Sequence, residues 1–446
     1  MAPTLIGLPV EILFMIAKTL DLSDRANLSL TCSSVRAITL PSIFECVPFT
    51  NIGPEADDVL TILEKYGQHV KELKFCGRYP TTKLPPMIQA PHGWKFSSWR
   101  KQMLPESTQS LLKFDGPLNE KLRVLDTMSI SFDSDVPRML SYQYIHGYLH
   151  RGYDGPQGQS ISLLDDLMVK TWTLISENPK IRHLKLEELP PILVEAWTFP
   201  SVTAWLRQLE SLEVSLWGRS LAITHCTESP KYSKFCTGLE EFFPKLDSAK
   251  TLKFKCGREA MLGIGEPDDH IRLPLRPNHL PNLRRLELVN CFICSELSEF
   301  LEVHAQSLDT LVLRDCYAKA GFRGGWSTFL ESITSANPIL SNLQIFFGLA
   351  LMTSHEFFMT PNVLNFPKVE RELMGVRESL RYQKTPRRLF EYALISRTAA
   401  RPLLDPEYTL SRYRDGSDQR AYDELMKIVK ANALNKGIRK LGVWDL

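Results

Sequence analysis

The chain has 446 residues, 43% hydrophobic and 23% charged, and its 53 basic and 51 acidic side chains leave a formal net charge of +2. That length exceeds what one core holds, so several units or a repeat array are expected. The near-balanced charge gives no global attraction to nucleic acid or to an anionic membrane. The longest apolar run, Ile345 to Met352, is far below the roughly 20 residues that span a bilayer. The apolar N-terminus lacks a basic leader and is broken by Glu11 and Lys18, which makes a poor signal peptide. Nine cysteines, an odd number, read as reduced thiols and a cytoplasmic or nuclear location.

In chain order, Leu8, Ile12, Ile16 and Leu20 recur every fourth residue, which places them on one side of a helix that must be buried. Pro9 suits the first helical position, and Glu11 puts a carboxylate where the helix dipole favours it. A second helix is predicted after Ser23 as N-cap, running through Leu28 and Leu30. A third is predicted from Ser33 and Ser34 through Val35 and Ile38, to be ended or kinked by Pro41. Three such short helices bury little apolar surface, so part of their apolar face is expected to meet another protein. The pattern Leu8-Pro9, Glu11-Ile12, Ile16, Leu20, Leu22, Asp24, Leu28, Cys32 and Ile43-Phe44 resembles an F-box. Arg25, Thr31 and Val35 stand where that family usually has an aliphatic residue, a valine and an aromatic.

Beyond residue 50 one phrase recurs: apolar, two residues, Leu, one residue, apolar. Its copies are Val70-Leu73-Phe75, Leu122-Leu125, Ile181-Leu184-Leu186, Leu209-Leu212-Val214, Ala249-Leu252-Phe254, Leu283-Leu286-Leu288, Leu308-Leu311-Leu313 and Leu340-Leu343-Ile345. In the clearest two, Leu283, Leu286, Leu288, Cys291 and Leu308, Leu311, Leu313, Cys316, every position is offset by 25 residues. Helical patterns precede the phrases, for example Leu163 to Ser176, Leu239 to Phe243, Leu297 to His304 and Phe329 to Ser335. The phrase resembles the leucine-rich repeat, with Cys at the position that closes the strand. Pro80 to Pro117 and Gly147 to Gly158 read as long loops on the repeat rim. After residue 350 the phrase disappears and helical patterns follow, including Asp418 to Leu434, where Tyr422, Leu425 and Val429 share a face.

Catalytic and metal motifs are incomplete. Cys291 to Cys294 is a single CxxC without a second pair, and His355-Glu356 lacks the second His of a zinc-protease helix. The glycines of 147 to 158 and Gly263-Ile-Gly265 lack the context of a phosphate or dinucleotide loop. The pairs Asp165-Asp166, Glu240-Glu241 and Asp268-Asp269 are adjacent in sequence and read as solvated charges. Arg381, Lys384, Arg387 and Arg388 read as a solvated helix face, with a localisation signal or an anion site as alternatives. No metal and no cofactor is expected.

The combined resemblance implies an α/β chain. An F-box at 1–50 would be followed by an irregular leucine-rich-repeat solenoid at 51–350, parallel strands inside and helices outside, with insertions near 80–117 and 131–160. A helical cap would occupy 351–446. It further implies a non-catalytic substrate-recognition subunit of an SCF-type ubiquitin ligase. Its partners would be a Skp-type adaptor, cullin and RING subunits beyond it, and a protein substrate. The alternative is a non-proteolytic F-box scaffold. The adaptor contacts carried over from the resemblance are Leu8, Pro9, Ile12, Leu13, Ile16, Leu20, Leu28, Ile43 and Phe44. Strand alternation turns Glu72, Lys74, Val124, Asp126, Lys185, Glu187, Glu213, Glu287 and Val312 outward, together with Lys253, Lys255, Arg285 and Arg314. The last four read as solubilising charges on an exposed sheet or, alternatively, as a basic patch for an acidic or phosphorylated substrate segment.

Overall fold

In the computed structural model the repeated phrases become parallel strands. It describes residues 7–51, 54–79, 103–114, 116–134, 156–218, 230–257, 261–263, 272–321, 325–348, 368–382, 387–396 and 401–438. The chain divides into two compact units. The first holds Met1–Val136, Gln159–Glu187 and Val194–Trp205; the second holds Pro137–Gly158, Glu188–Leu193 and Leu206–Leu446.

In the first unit, helices α1 (Val10–Thr19), α2 (Leu22–Ser29) and α3 (Ser33–Ile43) lead into β1 (Cys46–Thr50) and α4 (Glu55–Tyr66). Strands β2 (Glu72–Tyr79), β3 (Thr127–Ser134) and β4 (His183–Leu189) extend a parallel sheet in the order β1-β2-β3-β4. Helices α5 (Glu106–Lys113) and α6 (Pro117–Lys121) lie between β2 and β3 in sequence, and α7 (Pro156–Ile175) between β3 and β4. Part of the Pro80 to Pro117 segment is therefore helix. Gly158 likewise falls inside α7, while residues 80–102 and 135–155 lie outside the described residues.

The register corrects one repeat copy. Leu73 pairs with Met128 and Phe75 with Ile130, so the second copy runs Leu125, Met128, Ile130, not Leu122 and Leu125. Met stands where the phrase has Leu, which hid the true frame. The outward row of β3 is thus Thr127, Ser129 and Ser131, and Val124 and Asp126 precede the strand. Close packing at this level needs Gly77, because a Cβ there would lie 2.9 Å from Cδ1 of Phe132.

In the second unit β5 (Ser211–Leu216), β6 (Thr251–Lys255), β7 (Arg285–Val289), β9 (Thr310–Arg314) and β11 (Asn342–Phe346) pair in parallel in that order. Helices α8 (Pro230–Phe242), α9 (Ser295–Val303) and α10 (Trp326–Ser335) fall between them in sequence. The phrase residues are the core: Leu212, Val214, Leu252, Phe254, Leu283, Leu286 and Leu288 are all 0% exposed. Fully burying such side chains stabilises by roughly 1.5–3 kcal/mol each, which is why the phrase persists through irregular spacing.

After β7 and β9 the chain turns through Asn290 (φ 55°) and Asp315 (φ 50°), residue types that tolerate the left-handed region. Asn290 donates its side-chain amide to the Cys256 carbonyl at 3.1 Å, and Asp315 Oδ1 accepts from Gly348 N at 2.7 Å. Beyond these turns lie β8 (Phe292–Ile293) and β10 (Tyr317–Lys319), which start a second sheet. There β12 (Tyr392–Ser396) pairs parallel with β10 and antiparallel with β13 (Arg401–Leu404). The region after residue 350 is thus not wholly helical: helices α11 (Lys368–Tyr382), α12 (Pro406–Asp415) and α13 (Ser417–Asn435) flank two strands. Phe292, Tyr317, Leu373, Ala393 and Leu404 form one core between this sheet and α11. Tyr422, Leu425 and Val429 of α13 are buried, as their shared face predicts.

Candidate functional site

The N-terminal helices differ from their predicted bounds by a few residues, each for a local reason. Pro9, at ψ 145°, is the N-cap of α1 and not its first helical residue, and its carbonyl accepts from Ile12 and Leu13 at 3.0 and 3.1 Å. Asp21, not Ser23, caps α2 by accepting from Asp24 N at 2.8 Å. Cys32 precedes α3, and its sulfur accepts from Val35 N at 3.5 Å. Pro41 sits within α3, two residues before the helix ends at Ile43. Arg25 donates from Nη1 to the Ser42 carbonyl at 2.6 Å. It satisfies an acceptor in the last turn of α3, where an aliphatic side chain could not.

The inward strip of α1 is Leu13 and Ala17, at 5% and 0% exposure, and not the row Leu8, Ile12, Ile16, Leu20. Ile12 and Pro9 are exposed; Leu8, Ile16, Leu20, Leu28, Ile43 and Phe44 are half-buried. Phe44 stacks on Tyr66 of α4 with ring centroids 4.1 Å apart, so it also fastens α3 to the following helix. The Tyr66 hydroxyl is held below its usual range by a hydrogen bond from Lys65. Periodicity missed Val10, Phe14, Met15, Leu22 and Leu30, which are exposed like Ile12. These six residues are nearly half of the exposed large apolar side chains among the described residues, gathered within 21 positions. Such a concentration is a candidate contact surface. The usable signal was that α1 is apolar almost all round, more than two inward residues require.

Residues 5–47 match the F-box domain family. F-box domains bind Skp-type adaptors in SCF complexes, and F-box proteins are generally non-catalytic adaptors. No curated protein matches the chain. The F-box match ends within β1, before the other strand segments, whose outward rows form a second candidate surface.

In the first unit Lys74 reaches across β3 to Glu187 and Lys185 reaches back to Glu72, both at 2.7 Å, and Ser129 between them donates to Glu72. In the second unit Lys253 pairs with Glu213 at 2.6 Å. Glu287 accepts from both Arg285 and Arg314, at 3.3 and 3.1 Å. The basic patch is therefore brought together but mostly neutralised; Lys255 and Arg314 are exposed, Arg314 with Glu287 as its partner. The Arg314 guanidinium also lies 5.0 Å from the Phe346 ring centre. Glu287 and Val312 are buried beneath their neighbours instead of standing free.

The remaining candidates sort as follows. Cys291, Cys294 and Cys316 are buried, and burial pushes the Cys316 thiol up to about 12 and the other two upward as well. Cys256 and Cys291 bring their sulfurs to 3.6 Å. Among the described residues no three His, Cys, Asp or Glu side chains are placed to hold a metal, and no helix is long and apolar enough to cross a membrane. Glu240 pairs with Arg276, whereas burial and the neighbouring Asp166 and Glu195 raise the Asp165 carboxyl. His355-Glu356, Gly265 and Asp268-Asp269 lie outside the described residues. Arg387 and Arg388 follow α11 in non-helical backbone, so they are not a helix face.

Proposed function

We propose that this chain is the substrate-recognition subunit of an SCF-type ubiquitin ligase. The F-box docks a Skp-type adaptor through Val10, Ile12, Phe14, Met15 and the flanking half-buried Leu8, Ile16 and Leu20. The strand and helix segments are leucine-rich repeats that hold a protein substrate. The observation that carries this reading is the cluster of exposed apolar side chains within the matched F-box. Such a subunit needs no catalytic residue, because holding a substrate lysine near a charged conjugating enzyme raises its effective concentration.

The substrate surface on this reading is the outward strand row of the second unit, with Lys255, Arg285 and Arg314 supplying donors. Affinity purification of wild type beside Ile12→Asp, with the proteasome blocked, tests the division of labour. Adaptor and cullin should be lost from the variant while substrates are retained. Adaptor without cullin in the wild-type sample would instead make the protein a non-proteolytic scaffold. Reversal of Lys253, Lys255 and Arg285 to Glu should release substrate and keep adaptor; retention of every substrate would move recognition off this row.

A further inference from the structure

The C-terminal region contains a small recess, partly open to solvent, whose wall includes Arg387, Arg388, Arg412, Tyr413, Gly416 and Gln419. Two of its cations are held in place without a counter-charge. The Arg387 guanidinium lies 4.0 Å from the Tyr413 ring centre and donates one N–H to the Tyr413 carbonyl at 2.7 Å. Arg388 lies 5.0 Å from the Tyr422 ring centre and donates one N–H to the Ile345 carbonyl at 3.1 Å. Its own backbone N–H is fixed by Gln419 Oε1 at 2.7 Å. Stacking and carbonyl contacts hold both planes, with a further hydrogen bond from Arg388 to the Tyr422 hydroxyl, and leave other guanidinium donors for a ligand.

Elsewhere in the same unit Arg276, Arg314, Arg377, Arg412 and Arg414 each have a carboxylate partner. Among the described residues Arg387 and Arg388 have none; Arg284 also lacks one and donates from Nη1 to the Ser307 carbonyl at 3.1 Å. The acidic side chain in the wall, Asp418, is already engaged: it accepts from Arg412 at 2.8 Å, Ser327 N at 3.0 Å and Tyr392 OH at 2.9 Å. Arg412 Nε is buried with no acceptor. Gly416, at φ 70°, opens the 19-residue α13 beside the recess, and the Asp415 carboxylate already accepts from Ser417 at that helix N-terminus while pairing with Arg412 at 3.6 Å and Arg420 at 4.0 Å. The recess thus carries two positive charges in excess, on fixed planar donors.

We infer that this recess binds a phosphoryl oxyanion, with Arg387 and Arg388 as its principal ligands. A phosphomonoester brings close to two negative charges and three acceptor oxygens, matching two uncompensated guanidiniums better than a single carboxylate does. The group could arrive on a phosphorylated protein segment or as free phosphate, which share this chemistry. The inference does not rest on the adaptor reading, and Ile12→Asp should bind phosphate as wild type does.

Calorimetric titration of the full chain with inorganic phosphate and with capped phosphoserine, at matched ionic strength, tests it. Saturable binding is expected, weakened at least tenfold in Arg387→Gln/Arg388→Gln. The thermal unfolding midpoint of that variant shows whether it is folded. Should the double variant unfold, Arg387→Gln alone carries the test, because its side chain is exposed and its loss should still weaken binding at least threefold. Tighter binding of capped phosphoserine supports the site with a protein segment as source, and tighter binding of phosphate supports it with the free ion. No saturable binding of either probe, or equal binding by folded variant and wild type, overturns the inference.

Discussion

Helix α1 and strands β6 and β7 are both built from regularly spaced apolar residues, yet they dispose of them in different ways. In the strands Leu252, Phe254, Leu286 and Leu288 are 0% exposed, and each apolar side chain finds its place inside. In α1 only Leu13 and Ala17 are buried, and Val10, Ile12, Phe14 and Met15 remain in solvent. The strands saturate their apolar surface within one chain, because each stacks on the same phrase in the next strand. The three short helices have no such neighbour for most of theirs. Apolar surplus, more than apolar periodicity, distinguishes a surface made for a partner from one made for a core.

The largest expected effect lies on the saturated side. Asp418→Ala removes the carboxylate from a buried ion pair with Arg412 and strips the Tyr392 hydroxyl of its acceptor. Loss of one partner of a buried pair costs about 3–5 kcal/mol, measurable as a shift in the denaturant midpoint of the second unit. Leu286→Ala should cost about 2–5 kcal/mol by lost burial and the cavity left behind. Ile12→Ala in the free chain should stay within about 0.5 kcal/mol of wild type, because its side chain is 41% exposed. Equal costs for Leu286→Ala and Ile12→Ala would break the comparison.

A smaller effect is pH dependent. His279 is buried, and desolvation followed by the nearby Arg276 charge lowers its folded pKa from 6.5 to about 4. As pH falls below 6.5 the unfolded chain takes up the proton first. The stability due to neutral His279 is therefore complete above that value and declines as pH falls through 4. Over that window the loss should approach about 1.4 kcal/mol per pH unit relative to His279→Asn, read from urea midpoints at stepped pH. A further modest effect belongs to the N-terminal helices. Arg25→Ala leaves the Ser42 carbonyl without its 2.6 Å donor and should lower stability by about 1.5 kcal/mol, seen as faster amide exchange in α2 and α3.

Much of this architecture was legible in the sequence. The phrase around Leu73, Leu184, Leu212, Leu252, Leu286, Leu311 and Leu343 located seven of the parallel strands, because each leucine is buried and burial enforces the pattern. The remaining copy, Leu122-Leu125, slipped by three residues, since Met128 does the work of leucine and Leu122 and Leu125 offered a false frame. The second sheet escaped because β8 and β10 are two and three residues long, too short to show alternation. At the F-box, the helices were readable from their spacing but the inward face was not. A helix apolar almost all round has no unique buried side until its neighbours are known, and here those neighbours select Leu13 and Ala17. The basic strand patch was likewise visible as charges, while its neutralisation by Glu213 and Glu287 depends on cross-strand register.

The claim that exposed α1 residues are a docking surface is tested most directly by titrating a Skp-type adaptor into purified wild type and Ile12→Asp. The account predicts that affinity falls by orders of magnitude, since an unpaired carboxylate in an apolar interface costs several kcal/mol, while the unfolding midpoint of the free variant is unchanged. Near wild-type affinity in a folded Ile12→Asp protein would contradict it.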